Sequence, residues 1–247
     1  MIQVIKKWFV LLFLVITSCS ANDSENDYSN IFSGDEVLIS LAEVIDKNDI
    51  DCLKRLIGIN GPETLNRTGL DGRTLLIWSI QHNKLDSFKV LLESGANPDV
   101  QMKNGDAAIH FASAKDSEYL KVLLMHGANP NLVTKKSKNE PAALYIAIGS
   151  FDIKKVEMLI AVDANVNQLS NHDYNPLAYA AALSQWEMVF KLIKAGADYK
   201  QGNEYGNSFL FTLENIIVDP GTKAFAWREK VIDFLKGEGV EIKVKTN

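Results

Sequence analysis

The sequence predicts an all-α solenoid of stacked helix-turn-helix units joined by short β-hairpin or loop fingers. Three observations predict it. First, a short segment recurs: Ser94-Gly95-Ala96-Asn97-Pro98-Asp99 returns as His126-Gly127-Ala128-Asn129-Pro130-Asn131, then, altered, as Val162-Asp163-Ala164-Asn165-Val166-Asn167 and Ala195-Gly196-Ala197-Asp198-Tyr199. Second, the recurrences stand 32, 36 and 33 residues apart, a period of about 33 with a one-residue deletion and a short insertion. Third, each period holds an apolar stripe that one helix pair cannot bury by itself, so neighbouring units must stack to complete a core.

The first clear unit runs Asp71-Gly72-Arg73-Thr74-Leu75-Leu76-Ile77-Trp78-Ser79-Ile80, then Asn83-Lys84-Leu85-Asp86-Ser87-Phe88-Lys89-Val90-Leu91-Leu92 up to Gly95-Ala96-Asn97. The next reads Gly105-Asp106-Ala107-Ala108-Ile109-His110-Phe111-Ala112, then Tyr119-Leu120-Lys121-Val122-Leu123-Leu124. A third spans Pro141-Ala142-Ala143-Leu144-Tyr145-Ile146-Ala147 to Val156-Glu157-Met158-Leu159-Ile160, and a fourth Asn175-Pro176-Leu177-Ala178-Tyr179-Ala180-Ala181 to Met188-Val189-Phe190-Lys191-Leu192-Ile193. These residues resemble the ankyrin repeat, D-x-x-G-x-T-P-L-H-x-A followed by G-h-x-x-V-V-x-L-L-L-x-x-G-A-D. The family's His stands here as His110, and its Pro-Leu as Pro176-Leu177.

Each recurring feature has a mechanical reason. Ser79, Ala112, Ala147 and Ala180 occupy one position of the first helix, where a bulky side chain would hold neighbouring repeats apart. In the second helix Phe88, Leu120, Val156 and Val189 align, as do Leu91, Leu123, Leu159 and Leu192, giving the apolar stripe. Gly95, Gly127 and Gly196 stand where that helix ends and a left-handed backbone is needed. Asp163 replaces the glycine once, and Asp tolerates that region better than most residues.

The array extends at both ends. Leu38 to Lys47 and Ile50 to Ile57 read as a helix pair without a clean signature, as expected of a capping repeat. Gly206 to Leu213 reads as a last first helix and Trp227 to Leu235 as its partner. The step from Gly196 to Gly239 is 43 residues, so extra residues fall in the turn-forming run Asp219-Pro220-Gly221-Thr222. The expected organisation is a signal segment at 1–18, a flexible acidic tether at 19–33 and repeats at 34–247. Their boundaries are 35–66 for the first cap, then 67–100, 101–133, 134–167 and 168–200, and 201–247 for the last cap. Insertions are expected at 134–139 and 218–223.

The first eighteen residues carry Lys6-Lys7 before the apolar run Trp8 to Ile16, too short to span a bilayer and of the form of a secretory signal. Ile16-Thr17-Ser18-Cys19 resembles a bacterial lipobox, which implies that Cys19 becomes the lipidated N-terminus. Ordinary cleavage after Ala21 is the alternative. Acyl chains contribute about 0.8 kcal/mol per buried methylene, enough for a multiply acylated Cys to anchor a soluble domain. Ser20 after the Cys, rather than Asp, resembles lipoproteins that move on to an outer membrane. The expected location is therefore the periplasmic side of a bacterial membrane, the outer rather than the inner.

The chain has 247 residues, 47% of them hydrophobic, and a formal charge of −5. Loss of residues 1–18 removes Lys6 and Lys7 and leaves −7. An acidic surface argues against nucleic acid as a partner. Lys135, Lys136 and Lys138 form a local basic group, either a solvated loop or a contact for an acidic partner. With Cys19 lipidated, Cys52 stands alone, so no intrachain disulfide is expected; it reads as a small core residue rather than a reactive thiol. No nucleophile elbow, phosphate loop or metal-spaced His/Cys cluster occurs, so no enzyme, cofactor or metal is expected. His126 sits beside a helix-ending Gly, where positive charge suits the dipole, and His82 and His172 read as polar surface or partner contacts.

What the ankyrin resemblance implies is protein binding through hairpin tips and the exposed face of the first helices. Mapped onto this chain, those positions are Asp71, Arg73, Gln81 and His82, then Lys103, Asn104, Asp106 and Lys115, then Lys138 and Asn139. Further along come Asn171, His172, Tyr174 and Leu183, and finally Tyr205 and Asn207. Tyr174 and Tyr205 are the expected aromatic anchors, unless each pads the next hairpin. The chain is expected to be monomeric when free. Some bacterial ankyrin lipoproteins resemble immunity proteins that neutralise secreted toxic enzymes such as lipases. The competing expectation is a scaffold or chaperone-like protector of a resident envelope enzyme, for instance in peroxide defence.

Overall fold

The computed structural model describes residues 28–134, 142–170, 174–202 and 208–243. These fall into two compact units, Met1–Lys103 and Asn104–Asn247. The first holds α1 (Tyr28–Ile31), α2 (Glu36–Asp46), α3 (Ile50–Asn60), a 3-10 turn (Pro62–Asn66), α4 (Leu75–Gln81) and α5 (Leu85–Glu93). α2 packs on α4 and α3 on α5, so first and second helices form two layers. The second holds α6 (Ala108–Ala114), α7 (Ser117–Met125), α8 (Ala143–Gly149), α9 (Ile153–Ile160), α10 (Pro176–Ala182), α11 (Trp186–Lys194), α12 (Phe209–Asn215) and α13 (Lys223–Gly237). Here α6, α8, α10 and α12 stack in order, and α7, α9, α11 and α13 form the other layer.

This is the stacked all-α architecture that the period demands. Ser79, Ala112, Ala147 and Ala180 are all fully buried, as are Phe88, Leu120, Val156 and Val189 of the second helices. Among the described residues, strand pairing is confined to two isolated bridges, Val133 with Ala142 and Gly202 with Ser208.

The recurring Gly-Ala-Asn segment follows from backbone needs. Gly95, Gly127 and Gly196 have φ of 92°, 78° and 88°, and Asp163 has 59°, so the left-handed helix end persists even where glycine is absent. The Asn or Asp two residues on closes an Asx turn: Asn97, Asn129, Asn165 and Asp198 accept from the amides of Asp99, Asn131, Asn167 and Lys200. The ladder also runs between repeats within the second unit. Asn131 accepts from the Asn165 amide at 2.7 Å and donates to the Asp163 carbonyl, and Asn167 does the same for Asp198 and Gly196.

A second left-handed position lies in the turn between paired helices, at Asn48, Asn83, Phe151 and Ser184, with φ between 54° and 59°. Repeat 101–133 lacks it, since Lys115 there has φ −99°. The one-residue deletion therefore sits at this turn.

Two expectations are corrected. Residues 28–33 do not belong to an unfolded tether: α1 begins at Tyr28, and Tyr28 and Phe32 are 8% and 1% exposed, because two aromatic rings bury enough surface to order the segment. Cys52 is fully buried, as a small core residue should be. The last second helix is longer than Trp227 to Leu235. Thr222 accepts from the Phe225 amide at 3.1 Å and caps a helix of 15 residues. The insertion at 218–223 is thus the turn that launches α13, not a finger. Of the insertion at 134–139 only Thr134, buried, is among the described residues.

Candidate functional site

The site is built on the first helices. Thr74, Asn175 and Ser208 cap α4, α10 and α12 through their side chains, while Ala107 and Ala142 stand at the same register before α6 and α8. Three residues on stand Ile77, His110, Tyr145, Ala178 and Phe211. In the second unit His110 and Tyr145 at this register tie their helices to the segments that follow. His110 Nδ1 accepts from the Ala107 amide at 2.9 Å, which leaves Nε2 to donate to the Leu132 carbonyl at 3.0 Å. Tyr145 replaces the His, its hydroxyl lying 2.6 Å from both the Gln168 and Tyr174 carbonyls and sharing one proton between them. Burial pushes the Tyr145 phenol above its usual range, and hydrogen bonding with Ser170 opposes that only partly. Ala178 has no polar head, so Asn175 acts instead, capping the Ala178 amide and donating to the Asp198 carbonyl at 3.0 Å.

The next register carries Trp78, Phe111, Ile146 and Tyr179. In the second unit Phe111, Ile146 and Tyr179 are half-buried, and the Tyr179 ring lies 5.6 Å from that of Tyr145. They form an apolar row that packing within the unit leaves partly open. Residue-type matching missed this row; the signal was its place just before the small residues Ala112, Ala147 and Ala180.

Trp78 in the first unit is fully buried. Tyr28 and Phe32 approach its ring edge-on at 6.2 and 5.8 Å, and His82 stacks on it at 3.7 Å. The indole donates to Asp46 Oδ1 at 3.0 Å, and His82 Nδ1 faces the same oxygen at 3.1 Å. The Arg73 guanidinium lies 6.0 Å from the ring and pairs with Asp71 at 3.0 Å.

Of the expected contact residues, Arg73 and His82 therefore lie against Trp78, with Asp71 paired to Arg73, and Gln81 is half-buried on the last turn of α4. Lys103 is exposed, its amide donating to the Asp71 carbonyl at 3.1 Å. Gly72 makes that approach possible: at φ 90° a Cβ would stand 2.7 Å from the Lys103 amide. Asn104 and Asp106 close an Asx turn on each other. Lys115 is half-buried, and its carbonyl, with that of Ser113, receives the ammonium of the buried Lys155. Tyr174 and Leu183 are half-buried; the Tyr174 amide donates to the Ser170 hydroxyl at 3.2 Å and its carbonyl accepts from the Ser170 amide. Cys19, Lys138, Asn139, Asn171, His172, Tyr205 and Asn207 lie outside the described residues. Among the described residues no three His, Cys, Asp or Glu gather as a metal would need.

Residues 41–134 match the family model for ankyrin repeats in three copies. The chain carries ankyrin repeats. It is 29% identical over 119 residues to an ankyrin repeat protein of Acanthamoeba polyphaga mimivirus, covering 47% of this chain and 28% of that one. It is 26% identical over 198 residues to neurogenic locus notch homolog protein 1 of Danio rerio, covering 80% of this chain and 8% of that one. The chain thus spans less than a third of the length of these relatives. An ankyrin repeat domain from Acinetobacter baumannii superposes with a TM-score of 0.65 at 24% identity, covering 79% of this chain and 97% of that domain. A chain of the complex between a predatory endopeptidase of Bdellovibrio bacteriovorus and an immunity protein superposes with a TM-score of 0.60 at 25% identity, covering 70% and 89%.

Proposed function

We propose that this ankyrin-repeat chain is the immunity partner of a secreted enzyme. Held by a lipid on the periplasmic side of a bacterial membrane, it binds a toxic hydrolase such as a lipase and blocks it. Its repeats mark it as a protein-binding module, and proteins of this kind are generally interaction scaffolds rather than enzymes. The observation that carries the immunity reading is the likeness to a chain of the Bdellovibrio complex, where an endopeptidase and an immunity protein are bound together. The row Phe111, Ile146 and Tyr179 supports it, since half-open apolar side chains at one register offer a partner its anchors. Lys6-Lys7, the apolar run to Ile16 and Ser18-Cys19 support export and lipidation.

The test is inhibition. The chain from residue 20 onward is mixed with the secreted hydrolase encoded beside it, and the hydrolase activity is followed against added chain. Stoichiometric loss of activity, relieved by Phe111→Ala with Tyr179→Ala, is the expected result. Binding that leaves the hydrolase fully active points to a scaffold, and no binding overturns the reading. For the anchor, Cys19→Ala abolishes labelling by a fatty-acid probe; label that persists refutes lipidation at that residue.

A further inference from the structure

The second unit carries a cleft on its layer of second helices, away from the first-helix row. It encloses about 440 Å³ between the end of α9, the outer side of α11 and the start of α13, a size at the lower end of ligand sites. Its floor is apolar, made by Ile160, Phe190 and Trp227, with the Phe190 and Trp227 rings 5.7 Å apart. Both rings are only half-buried. Its rim carries two lysines and one carboxylate, a net positive charge. Lys191 is paired with Glu157, but Lys194 has no carboxylate within ion-pair distance among the described residues. Its ammonium lies instead over the Phe234 ring at 3.9 Å and beside Phe190 at 5.7 Å. Lys230 likewise lies over Trp227 at 4.1 Å.

In a chain with net charge −5, lysines held over open aromatic faces mark a site of opposite sign to the rest. Lys194 in the last turn of α11 also complements that helix's dipole, which accounts for its position but not for the half-open rings. We propose that this cleft binds a short acidic peptide segment of a partner protein, one carboxylate meeting Lys194 and a neighbouring large apolar side chain lying against Phe190 and Trp227. The mixed demand of one anion and one apolar body selects the occupant: a basic peptide is repelled by the rim, and a purely polar acidic one leaves the floor wet.

The experiment uses the full chain and three fluorescein-labelled probes: Asp-Glu-Phe-Leu-Asp, its lysine counterpart Lys-Lys-Phe-Leu-Lys, and phenylpropionate. Anisotropy is read against chain concentration, with Trp227 emission followed for unlabelled peptide. The expected result is saturable binding of the acidic peptide only, accompanied by a change in Trp227 emission that Trp227→Phe removes. Lys194→Glu weakens binding about tenfold, Lys194→Gln by less, and Tyr179→Ala on the other layer has no effect. Lys194 is exposed, so its variants keep the wild-type melting curve. Equal binding of the lysine peptide, indifference to Lys194→Glu, or no saturable binding overturns the assignment. Phenylpropionate binding as tightly as the peptide overturns it too, since the cleft is then a small-molecule pocket. None of these outcomes bears on inhibition through the first-helix row.

Discussion

Trp78 in the first unit and Tyr179 in the second stand at the same register of their first helices, yet one is sealed and the other half-open. The difference lies in what the chain itself supplies. In the first unit α1 places Tyr28 and Phe32 over the indole, and Asp46, His82 and Arg73 close its edges. In the second unit Phe111, Ile146 and Tyr179 stay half-buried, the Tyr179 ring lying 5.6 Å from that of Tyr145. An aromatic at this register is an anchor for a partner only where the chain does not use it first.

The largest expected effect tests that roof. Phe32→Ala opens a cavity beside Trp78 and costs about 3–5 kcal/mol in urea unfolding, with tryptophan emission moving to the red. Tyr179→Ala, on a half-open ring, costs about 1 kcal/mol. Equal losses would break the comparison.

Next come the polar ties of the second unit. Tyr145→Phe leaves the Gln168 carbonyl without its donor, while the Tyr174 carbonyl keeps the Ser170 amide at 2.8 Å, and costs about 1–3 kcal/mol. Because burial raises the folded phenol above its ordinary value of 10.0, its contribution is complete below pH 10 and is lost as the pH climbs beyond it. Wild-type melting temperature should fall on that alkaline limb more steeply than that of Tyr145→Phe; parallel limbs would refute the burial argument.

Lys155→Met similarly strips the Ser113 and Lys115 carbonyls of their donor, at about 1–3 kcal/mol. Lys84, half-buried in the first unit, donates to the Asp46 carbonyl at 2.5 Å, and Lys84→Met costs less because water can replace the ammonium there. Urea titrations of the two variants rank them, and a reversed order would show that burial is not what separates these ties.

The smallest effect belongs to His82→Ala, which removes the stack on Trp78 for about 0.5–1.5 kcal/mol. Amide exchange at 28–36 should quicken without global loss. Unchanged exchange would detach His82 from the roof.

Some of this was legible from residue types and some was not. Gly95, Gly127, Gly196 and Asp163 announced the helix ends because few residues accept a left-handed backbone. Phe151 and Ser184 hold the same conformation in the inter-helix turn without announcing it, since neither residue favours that region and only packing on both sides holds it there. His110 was recognisable by resemblance, but Tyr145 does its work with a different donor and Asn175 does it from a neighbouring position. Arg73 and His82 read as exposed contact positions because nothing in their local pattern showed that both lie against Trp78.

By itself, then, the sequence determined the repeat, its period, the small residues of the stacking seam and the apolar stripe, all consequences of local backbone preference and of burial at helical spacing. Tertiary structure decided where each aromatic ended up. Tyr28 and Phe32 read as part of a polar tether until the fold set them on Trp78, and Phe190, Trp227 and Lys194 read as ordinary second-helix residues until α9, α11 and α13 met around a cleft. Burial by distant residues depends on which helices stack, and no local pattern encodes that.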